Sequence, residues 1–231
     1  MTVLYLIPTL LSENTVLDIL PQKVVDVVRG LQQFVVEDVR TARRFLSKLG
    51  HPQKIDSLLF RELNEHSSAS DTSDLLPYLL SAPTGLLSDA GAPAVADPGA
   101  SLVLLAHENN IRVVPLAGAS SILMALMASG LNGQSFAFAG YLPIKKNERC
   151  QRIQELERRA KKENQTQIFI ETPYRNMQLL QDIVTYCHPT TRLTIAADIT
   201  GAVEFIKTKS IRQWKNSLPQ INKIPAVFLI N

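Results

Sequence analysis

Short apolar runs alternate with helical patterns along the first half of the chain, and this alternation limits the possible folds more than any other feature. Val3–Ile7, Gln33–Val36 and Arg112–Pro115 are predicted to be buried strands, with helical periodicity between them. Strands that alternate with helices are typical of a parallel sheet whose faces are covered by helices. The first half of the chain therefore predicts an α/β domain.

The same signals predict the remaining elements of this half. Further strands are expected at Ile55–Phe60 and Leu86–Leu87, and further helices at Asn14–Leu20, Glu37–Leu49 and Ala100–Asn109. The polar stretch His66–Asp74 is expected to end in a cap for a helix at Leu75–Leu80.

The second half has longer helices and then strand-like runs with little helix between them, which favours a mixed sheet. The predicted strands are Phe136–Tyr141, Thr166–Ile170, Leu193–Ala197, Val203–Lys207 and Ala226–Ile230. The predicted helices are Asn147–Asn164, with Cys150, Ile153, Leu156 and Ala160 on its apolar side, and Asn176–Tyr186. We expect two α/β domains, residues 1–118 with a parallel-rich sheet and residues 119–231 with a mixed sheet.

The segment Val113–Ile144 carries no charged residue and is long enough, on length alone, to span a membrane. Pro115, Gly118 and Gly130 interrupt it, so we predict a buried strand, a tight turn and a helix packed on all sides. With 45% apolar and 19% charged residues, the chain is expected to be a globular protein of the cytoplasm without a membrane role.

Charge and cysteine usage narrow the function classes further. The formal charge of +3 permits an anionic partner without requiring one. The two cysteines and four histidines show no spacing typical of metal ligands, so we expect neither a disulfide framework nor a metal site.

Two short turns follow the Leu86–Leu87 strand, S-D-A-G-A-P at 88–93 and A-D-P-G-A-S at 96–101. Ligands of open α/β sheets bind beyond the carboxyl ends of strands, and glycine lets the backbone approach a ligand closely. Asp89 and Asp97 are suited to accept hydrogen bonds from ribose hydroxyls, an amine or backbone amides. The alternative is that Asp97, Pro98 and Gly99 only cap the next helix.

A third small-residue turn, P-L-A-G-A-S-S at 115–121, follows the next strand and also precedes a helix. If the two strands are adjacent, these turns form one pocket. The chain has neither the G-K-[ST] of a P-loop nor G-x-G-x-x-G, which argues against a nucleotide-triphosphate or dinucleotide site of those types.

Six segments together resemble the tetrapyrrole-methylase superfamily, and within it the bacterial family that 2′-O-methylates a cytidine ribose in 16S ribosomal RNA. They are LYLIPT (4–9), VVEDVRTARRFL (35–46), LLSDAGAPAVADPGASLV (86–103), VVPLAGASSILMALMASGL (113–131), FAGYLP (138–143) and IFIETPYR (168–175). The resemblance runs in order over nearly the whole chain.

The resemblance implies a methyltransferase that forms homodimers, holds S-adenosyl-L-methionine between two α/β domains, and acts on ribosomal RNA or the small ribosomal subunit. The cofactor contacts it implies are Pro8, Asp89, Ala90, Gly91, Ala94, Val95, Ala117, Gly118, Ala119, Ser120, Tyr141, Leu142, Thr172, Pro173, Pro225 and Ala226.

The resemblance also suggests catalytic and substrate residues. Glu37, Asp38 and Arg40 are the catalytic candidates, because a ribose 2′-hydroxyl is a weak nucleophile that benefits from a general base or a nearby cation. The alternative is that the two acids only cap the following helix. The substrate candidates are Arg43, Arg44, Glu171 and Arg175, whose alternatives are a solvated helix face and a strand end.

Two segments depart from the family pattern and keep two other functions open. Thr9–Asn14 stands where the family has T-P-I-G-N-L, and Asp198–Glu204 lacks a Lys and a His of E-L-T-K-x-H-E. The alternatives are methylation of a small tetrapyrrole-like molecule and a non-catalytic paralogue that binds cofactor or RNA.

Overall fold

The computed structural model describes residues 2–12, 20–64 and 66–231, which form two compact units, Met1–Ser120 and Ser121–Asn231. The helix predicted at Asn14–Leu20 lies, apart from Leu20, outside the described residues. The assignment of separate roles to residues 1–118 and 119–231 stays a prediction.

The first unit is built on a parallel five-stranded sheet in the order β3-β2-β4-β1-β5. Its strands are β1 (Val3–Ile7), β2 (Gln33–Val36), β3 (Leu59–Glu62), β4 (Thr84–Leu87) and β5 (Arg112–Pro115). Its helices include α1 (Gln22–Gly30), α2 (Val39–Lys48), α3 (Ala69–Ser73), α4 (Leu76–Ser81) and α5 (Ala100–Glu108). The predicted parallel sheet is confirmed.

Successive side chains of a strand point to opposite faces of the sheet, so this unit has a core on each face. On one face Phe34 packs with α2 through Phe45 and Leu46. On the other, Val35 belongs to a cluster with Leu102 of α5. Every residue of β2 is buried, which explains its unbroken apolar run apart from Gln33.

The strand predicted at Ile55–Phe60 is misplaced. Ile55–Ser57 forms a 3-10 turn, and β3 begins only at Leu59. Because β3 is an edge strand with largely exposed side chains, it has little apolar signal. The strands β4 and β5 are also not adjacent, since β1 lies between them and Leu6 pairs with both Leu86 and Pro115.

Helix starts account for two further differences. The cap in the polar stretch is Ser68, which accepts a hydrogen bond from the Asp71 amide and starts α3, whereas α4 has no side-chain cap. The helix α1 was not predicted, although it follows Pro21 and buries Val24 and Val28 at helical spacing.

The second unit is built on a mixed sheet in the order β6-β7-β10-β8-β9, in which only β6 and β7 pair in parallel. Its strands are β6 (Phe136–Tyr141), β7 (Thr166–Ile170), β8 (Arg192–Ala197), β9 (Phe205–Ser210) and β10 (Ala226–Ile230). Its helices include α6 (Ser121–Ser129), α7 (Lys146–Glu163), α8 (Asn176–Tyr186) and α9 (Ile211–Trp214). The mixed sheet is confirmed, whereas the strand predicted at Val203–Lys207 begins two residues later.

A buried ion pair joins α7 to α8 within the core of this unit. Nε and Nη2 of Arg149 donate to Oδ2 of Asp182 at 2.8 and 2.6 Å. Arg149 Nη1 also donates to the Ile144 carbonyl at 2.6 Å, which fixes the loop after β6. The predicted apolar side of α7, with Ile153 and Leu156, is confirmed as buried.

The charge-free segment contains β5 and the nine-residue α6, but β5 is an edge strand without a buried residue, so the prediction of a buried strand is wrong. The helix α6 buries Ile122 and Leu126 but leaves Met127 83% exposed, so the prediction of packing on all sides is wrong. No helix within residues 2–12, 20–64 and 66–231 is long and apolar enough to cross a membrane.

Candidate functional site

The loops after β1, β4 and β5 converge at the carboxyl edge of the parallel sheet because β1 lies between the other two strands. The Thr9 amide donates to the Gly91 carbonyl at 2.9 Å, which joins the first loop to the second. A Cβ on Gly118 would overlap the ring of Pro8, which joins the first loop to the third. One on Gly91 would lie 3.5 Å from the Ala119 carbonyl oxygen. Gly118 therefore has no room for a side chain, whereas Gly91 is favoured by its left-handed φ of 80°.

The loop between β4 and α5 holds several residues in the left-handed region. Gly91 and Gly99 have φ of 80° and 121°, which suits glycine, but Ala94 and Ala96 have φ of 63° and 60°. A left-handed alanine is strained by about 1 to 2 kcal/mol, and such strain concentrates at functional sites. Val95 lies between the two alanines and is half exposed. Ala94 and Val95 are thus displayed on a strained turn.

Carboxyl groups crowd together at the ends of β2 and β4. The side chain of Asp97 hydrogen-bonds to Glu37 and Ser88, and burial is the main cause that raises its pKa. Loss of hydration, followed by repulsion from Glu37 and Asp38, raises the pKa of Asp89 to about 6. Asp97 therefore does not cap α5; Gly99 precedes that helix and offers no side-chain cap.

Asp38 has a structural role in the same cluster. Its Oδ1 accepts a hydrogen bond from the Thr41 amide at 2.7 Å and caps α2. That hydrogen bond is the largest of the causes that lower the pKa of Asp38, and the nearby charge of Arg40 adds to it. The capping alternative is therefore the observed role of Asp38, whereas the side chain of Glu37 hydrogen-bonds to Asp97.

A cavity of about 690 Å³ opens beside this cluster, between the loop after β1 and helix α2. Its polar lining includes Thr9, Ser12, Thr41, Arg44, Lys48 and Asp89. The hydroxyl oxygen of Thr9 is buried and has no hydrogen-bond partner among the residues that the structure describes. A buried polar atom of this kind marks a place where a ligand or water completes the hydrogen bonding.

The predicted arginines of α2 do not act as one group. Arg44 lines the cavity, whereas Arg43 lies 3.6 Å from Asp56 and has its guanidinium over the Phe60 ring at 5.6 Å. Lys48 and Thr41 were missed as site residues. Lys48 lies four positions after Arg44 and Thr41 lies three positions before it, so helical spacing places both on the same face of α2 as Arg44.

In the second unit, the predicted cofactor residues gather at one edge of the mixed sheet. Tyr141 ends β6 opposite Ile170, and Thr172 follows the neighbouring β7. The Pro225 carbonyl accepts from the Asp198 amide at 2.9 Å, just before β10. Because β10 runs antiparallel to β7, its start lies beside the end of that strand. The full set in this unit is Tyr141, Leu142, Thr172, Pro173, Pro225 and Ala226.

Glu171 and Arg175 bind each other at the same edge. Oε1 of Glu171 accepts from Arg175 Nη2 at 2.6 Å and from the Thr172 amide at 2.7 Å. The hydrogen bond to Glu171 is the main cause that raises the pKa of Arg175. Oε2 of Glu171, Nε of Arg175 and Oδ1 of Asn176 are buried without a partner in the described part of the chain. These atoms can accept further hydrogen bonds from, or donate them to, a ligand or water.

The departing segment Asp198–Glu204 is held by its own carboxylates. Oδ2 of Asp198 accepts from the Val203 amide at 2.9 Å, and Oε2 of Glu204 accepts from the Thr200 amide at 2.7 Å. A Cβ on Gly201 would overlap the Asp198 carboxylate. The loop therefore needs glycine at the position where the family pattern has lysine.

Comparison of the sequence with curated proteins finds relatives along most of the chain. Ribosomal RNA small subunit methyltransferase I of Vibrio cholerae is 32% identical over 206 residues, which cover 89% of this chain and 67% of the relative. The protein of the same name from Pasteurella multocida is 30% identical over 232 residues, which cover 99% of this chain and 78% of the relative. No family model matches the chain.

Comparison with solved structures finds the same fold elsewhere. A diphthine synthase structure matches with a TM-score of 0.69 at 14% identity, covering 99% of this chain and 88% of the other. The methyltransferase CobJ matches with a TM-score of 0.62 at 16% identity, covering 100% of this chain and 92% of the other. The predicted fold class is therefore confirmed.

Proposed function

This chain belongs to the ribosomal RNA small subunit methyltransferase I family, and we propose that it transfers a methyl group from S-adenosyl-L-methionine to a ribose 2′-hydroxyl of small-subunit ribosomal RNA. The structural observation that carries the proposal is the convergence of three turns beyond the carboxyl ends of β1, β4 and β5. Binding sites of α/β sheets form at such strand ends. The family resemblance is also our reason to propose a homodimer in the cytoplasm.

The residues at the carboxyl edge of the parallel sheet fit an adenosyl cofactor. When bound, S-adenosyl-L-methionine supplies a methyl group on a positively charged sulfur. Asp89 offers a carboxylate to hydroxyl or amine groups, and the strained turn at Ala94 and Ala96 displays the half-exposed Val95. The unpartnered hydroxyl of Thr9 supports a polar ligand here. In the second unit, the open hydrogen-bonding positions of Glu171 and Arg175 support a contact at its own sheet edge.

Methyl transfer to a hydroxyl demands alignment and removal of one proton. The Thr41 amide donates a hydrogen bond to Asp38, and the pKa of Asp38 is lowered, so this carboxylate is a poor base. We therefore assign Asp38 a role in positioning α2. Glu37 is the proposed proton acceptor, with Asp97 as its hydrogen-bonded partner. Arg40 lies directly before Thr41, which lines the cavity. Arg44 and Lys48 also line the cavity and are placed to bind phosphate.

Isotope-labelled S-adenosyl-L-methionine tests the proposal directly. Small ribosomal subunits from a bacterial strain that lacks its own family member should gain one 2′-O-methylated ribose when incubated with the purified protein. Transfer of label to a porphyrin or corrin precursor, and none to subunits, would favour the small-molecule alternative. Binding of S-adenosylhomocysteine without transfer to either would favour the non-catalytic paralogue.

Calorimetric titration with S-adenosylhomocysteine tests the cofactor site by itself, with NAD as the comparison ligand. Asp89→Ala is expected to weaken binding about 10-fold or more, because a hydrogen bond to a charged group contributes roughly 1.5 to 3 kcal/mol. Asp26→Ala is the matched control, since Asp26 accepts a hydrogen bond from Gln22 on the exposed side of α1. Equal binding by both variants would remove Asp89 from the site.

A further inference from the structure

The strand β9 and helix α9 carry a group of cations, Lys207, Lys209, Arg212 and Lys215, which we call the basic surface. Lys207, Arg212 and Lys215 are exposed, and Lys209 is half-buried. Residues 205–231 contain five Lys and Arg and no Asp or Glu, although the whole chain has 24 basic and 21 acidic residues. The excess of positive charge is therefore local.

Strand and helix contribute to one continuous surface. Lys207 and Lys209 are two positions apart on β9, so both side chains project from the same face of the sheet. The ammonium of Lys209 lies 4.6 Å from the centre of the Trp214 ring. Trp214 ends α9, the helix that carries Arg212, and Lys215 follows it directly. The indole thus brings β9 next to the helix that carries Arg212.

Three cations on or next to α7 differ from these in having carboxylate partners close by in the sequence. Lys145 lies 3.4 Å from Glu148, Arg152 lies 2.7 Å from Glu155, and Arg159 lies 3.8 Å from Glu163. None of the four cations of the basic surface forms an ion pair with any residue that the structure describes. Lys145, Arg152 and Arg159 thus each have a neighbouring carboxylate, whereas the four cations of the basic surface have none among the described residues.

Protection of a sheet edge explains only part of this pattern. The strand β9 is an edge of the mixed sheet, and lysines on an edge strand prevent pairing with other chains. Arg212 and Lys215 lie on or beside a helix, where no strand needs protection. Like charges held together without counter-charges repel each other, and a bound polyanion removes that repulsion.

We propose that the basic surface binds the phosphate backbone of ribosomal RNA, an inference that rests on the proposed function. Trp214 is 1% exposed and packs in the core, so it offers no ring face on which a base could stack. The surface therefore contributes affinity and orientation that do not depend on base sequence.

Two triple variants with the same net charge test this inference. Lys207→Gln, Arg212→Gln and Lys215→Gln are combined in one variant, which leaves Lys209 in place over Trp214. Lys145→Gln, Arg152→Gln and Arg159→Gln are combined in the control. Each variant loses three of the 24 basic residues, which lowers the formal charge from +3 to 0. Binding to protein-free small-subunit ribosomal RNA is measured between 50 and 300 mM salt, and binding of S-adenosylhomocysteine is measured beside it.

The basic-surface variant should bind this RNA about 10- to 100-fold more weakly near 100 mM salt, and its log–log salt slope should fall by about 2 to 3. The control should keep most of the wild-type affinity and slope, and both variants should bind S-adenosylhomocysteine like wild type. Equal loss in both variants, or no loss in either, would overturn the inference and leave methyl transfer standing. Loss of binding to vesicles containing phosphatidylserine but not to RNA would overturn it too. If the wild-type protein fails to bind RNA while binding S-adenosylhomocysteine, the ribosomal target itself is wrong.

Discussion

The two units place their carboxyl groups in opposite surroundings. In the second unit, Asp182 is buried against Arg149 with two hydrogen bonds to one oxygen. In the first, Glu37, Asp89 and Asp97 crowd together at the strand ends, and lost hydration, with a smaller contribution from repulsion, raises the pKa of both Asp89 and Asp97.

The difference separates charges that stabilise a fold from charges that are available to a ligand. A buried pair keeps its geometry only when each charge has its partner, so Arg149 and Asp182 belong to the framework. Carboxylates that crowd together at a strand end repel each other, and this repulsion falls when a ligand donates hydrogen bonds to them. We therefore expect substitutions of carboxylates to have opposite signs in the two units.

The largest effect is expected where the buried pair is broken. Asp182→Ala leaves the guanidinium of Arg149 buried without its partner and should lower the free energy of unfolding by about 3 to 5 kcal/mol. Urea denaturation followed by circular dichroism measures this loss. Glu155→Ala, which removes an exposed partner on α7, is the control and should change little. If both variants changed the free energy of unfolding by a similarly small amount, the difference drawn here between the carboxylates of the two units would be wrong.

The next effect concerns backbone packing in the first unit. Gly118→Ala forces a Cβ into the Pro8 ring and should destabilise the protein by about 2 kcal/mol. It should also weaken S-adenosylhomocysteine binding, because the turns after β1 and β5 meet there. Gly30→Ala, where a new Cβ meets nothing within 4 Å, should be neutral or slightly stabilising in the same unfolding assay. Loss of stability without loss of binding would separate this packing from the site.

Asp38 is the exception among the clustered acids, and its replacement sharpens the comparison. Asp38→Ala removes the cap of α2 and should cost about 1 kcal/mol in urea denaturation. Asp38→Asn keeps an oxygen for the Thr41 amide and should recover most of that loss. A gain in stability from Asp38→Ala would show that repulsion outweighs capping at this position.

The smallest effect is a gain in stability from Asp89→Asn. The pKa of Asp89 rises from 3.8 to about 6 on folding, so the ionised carboxylate destabilises the fold above about pH 6, and this cost disappears as the pH falls below about 4. The variant should therefore be more stable than wild type at pH 7.5 and equal to it at pH 4. We expect less than about 1 kcal/mol, because the side chain is solvent-exposed and screened. Thermal unfolding at both pH values measures this difference, and a loss at pH 7.5 would contradict it.

Most of the fold was predictable because it depends on local patterns. Apolar runs bounded by proline or glycine located β1, β2, β5 and β7, and a helical apolar stripe located α7. The edge strand β3 and helix α1 were missed or misplaced, since an exposed edge needs few apolar residues and α1 has only a short pattern.

The site was predictable only as a set of turns. The residues at 88–93 and 115–121 stand out in the sequence, but their meeting depends on β1 lying between β4 and β5, and strand order is a long-range property. The contact of Asp97 with Glu37 likewise joins residues sixty positions apart. Separation of Arg43 from Arg44 depends on Asp56 and Phe60, which helical spacing alone does not reveal.

The strand order β3-β2-β4-β1-β5 also sets an order in time during protein synthesis. The strands β1 and β2 do not pair with each other, because β4 lies between them and pairs with both. Val3–Ile7 and Gln33–Val36 therefore have no shared sheet until Thr84–Leu87 has left the ribosome. Long-range pairing of this kind is slow and leaves strand edges open to aggregation. The first unit consequently keeps unpaired strand edges open until Thr84–Leu87 is available to join β1 and β2.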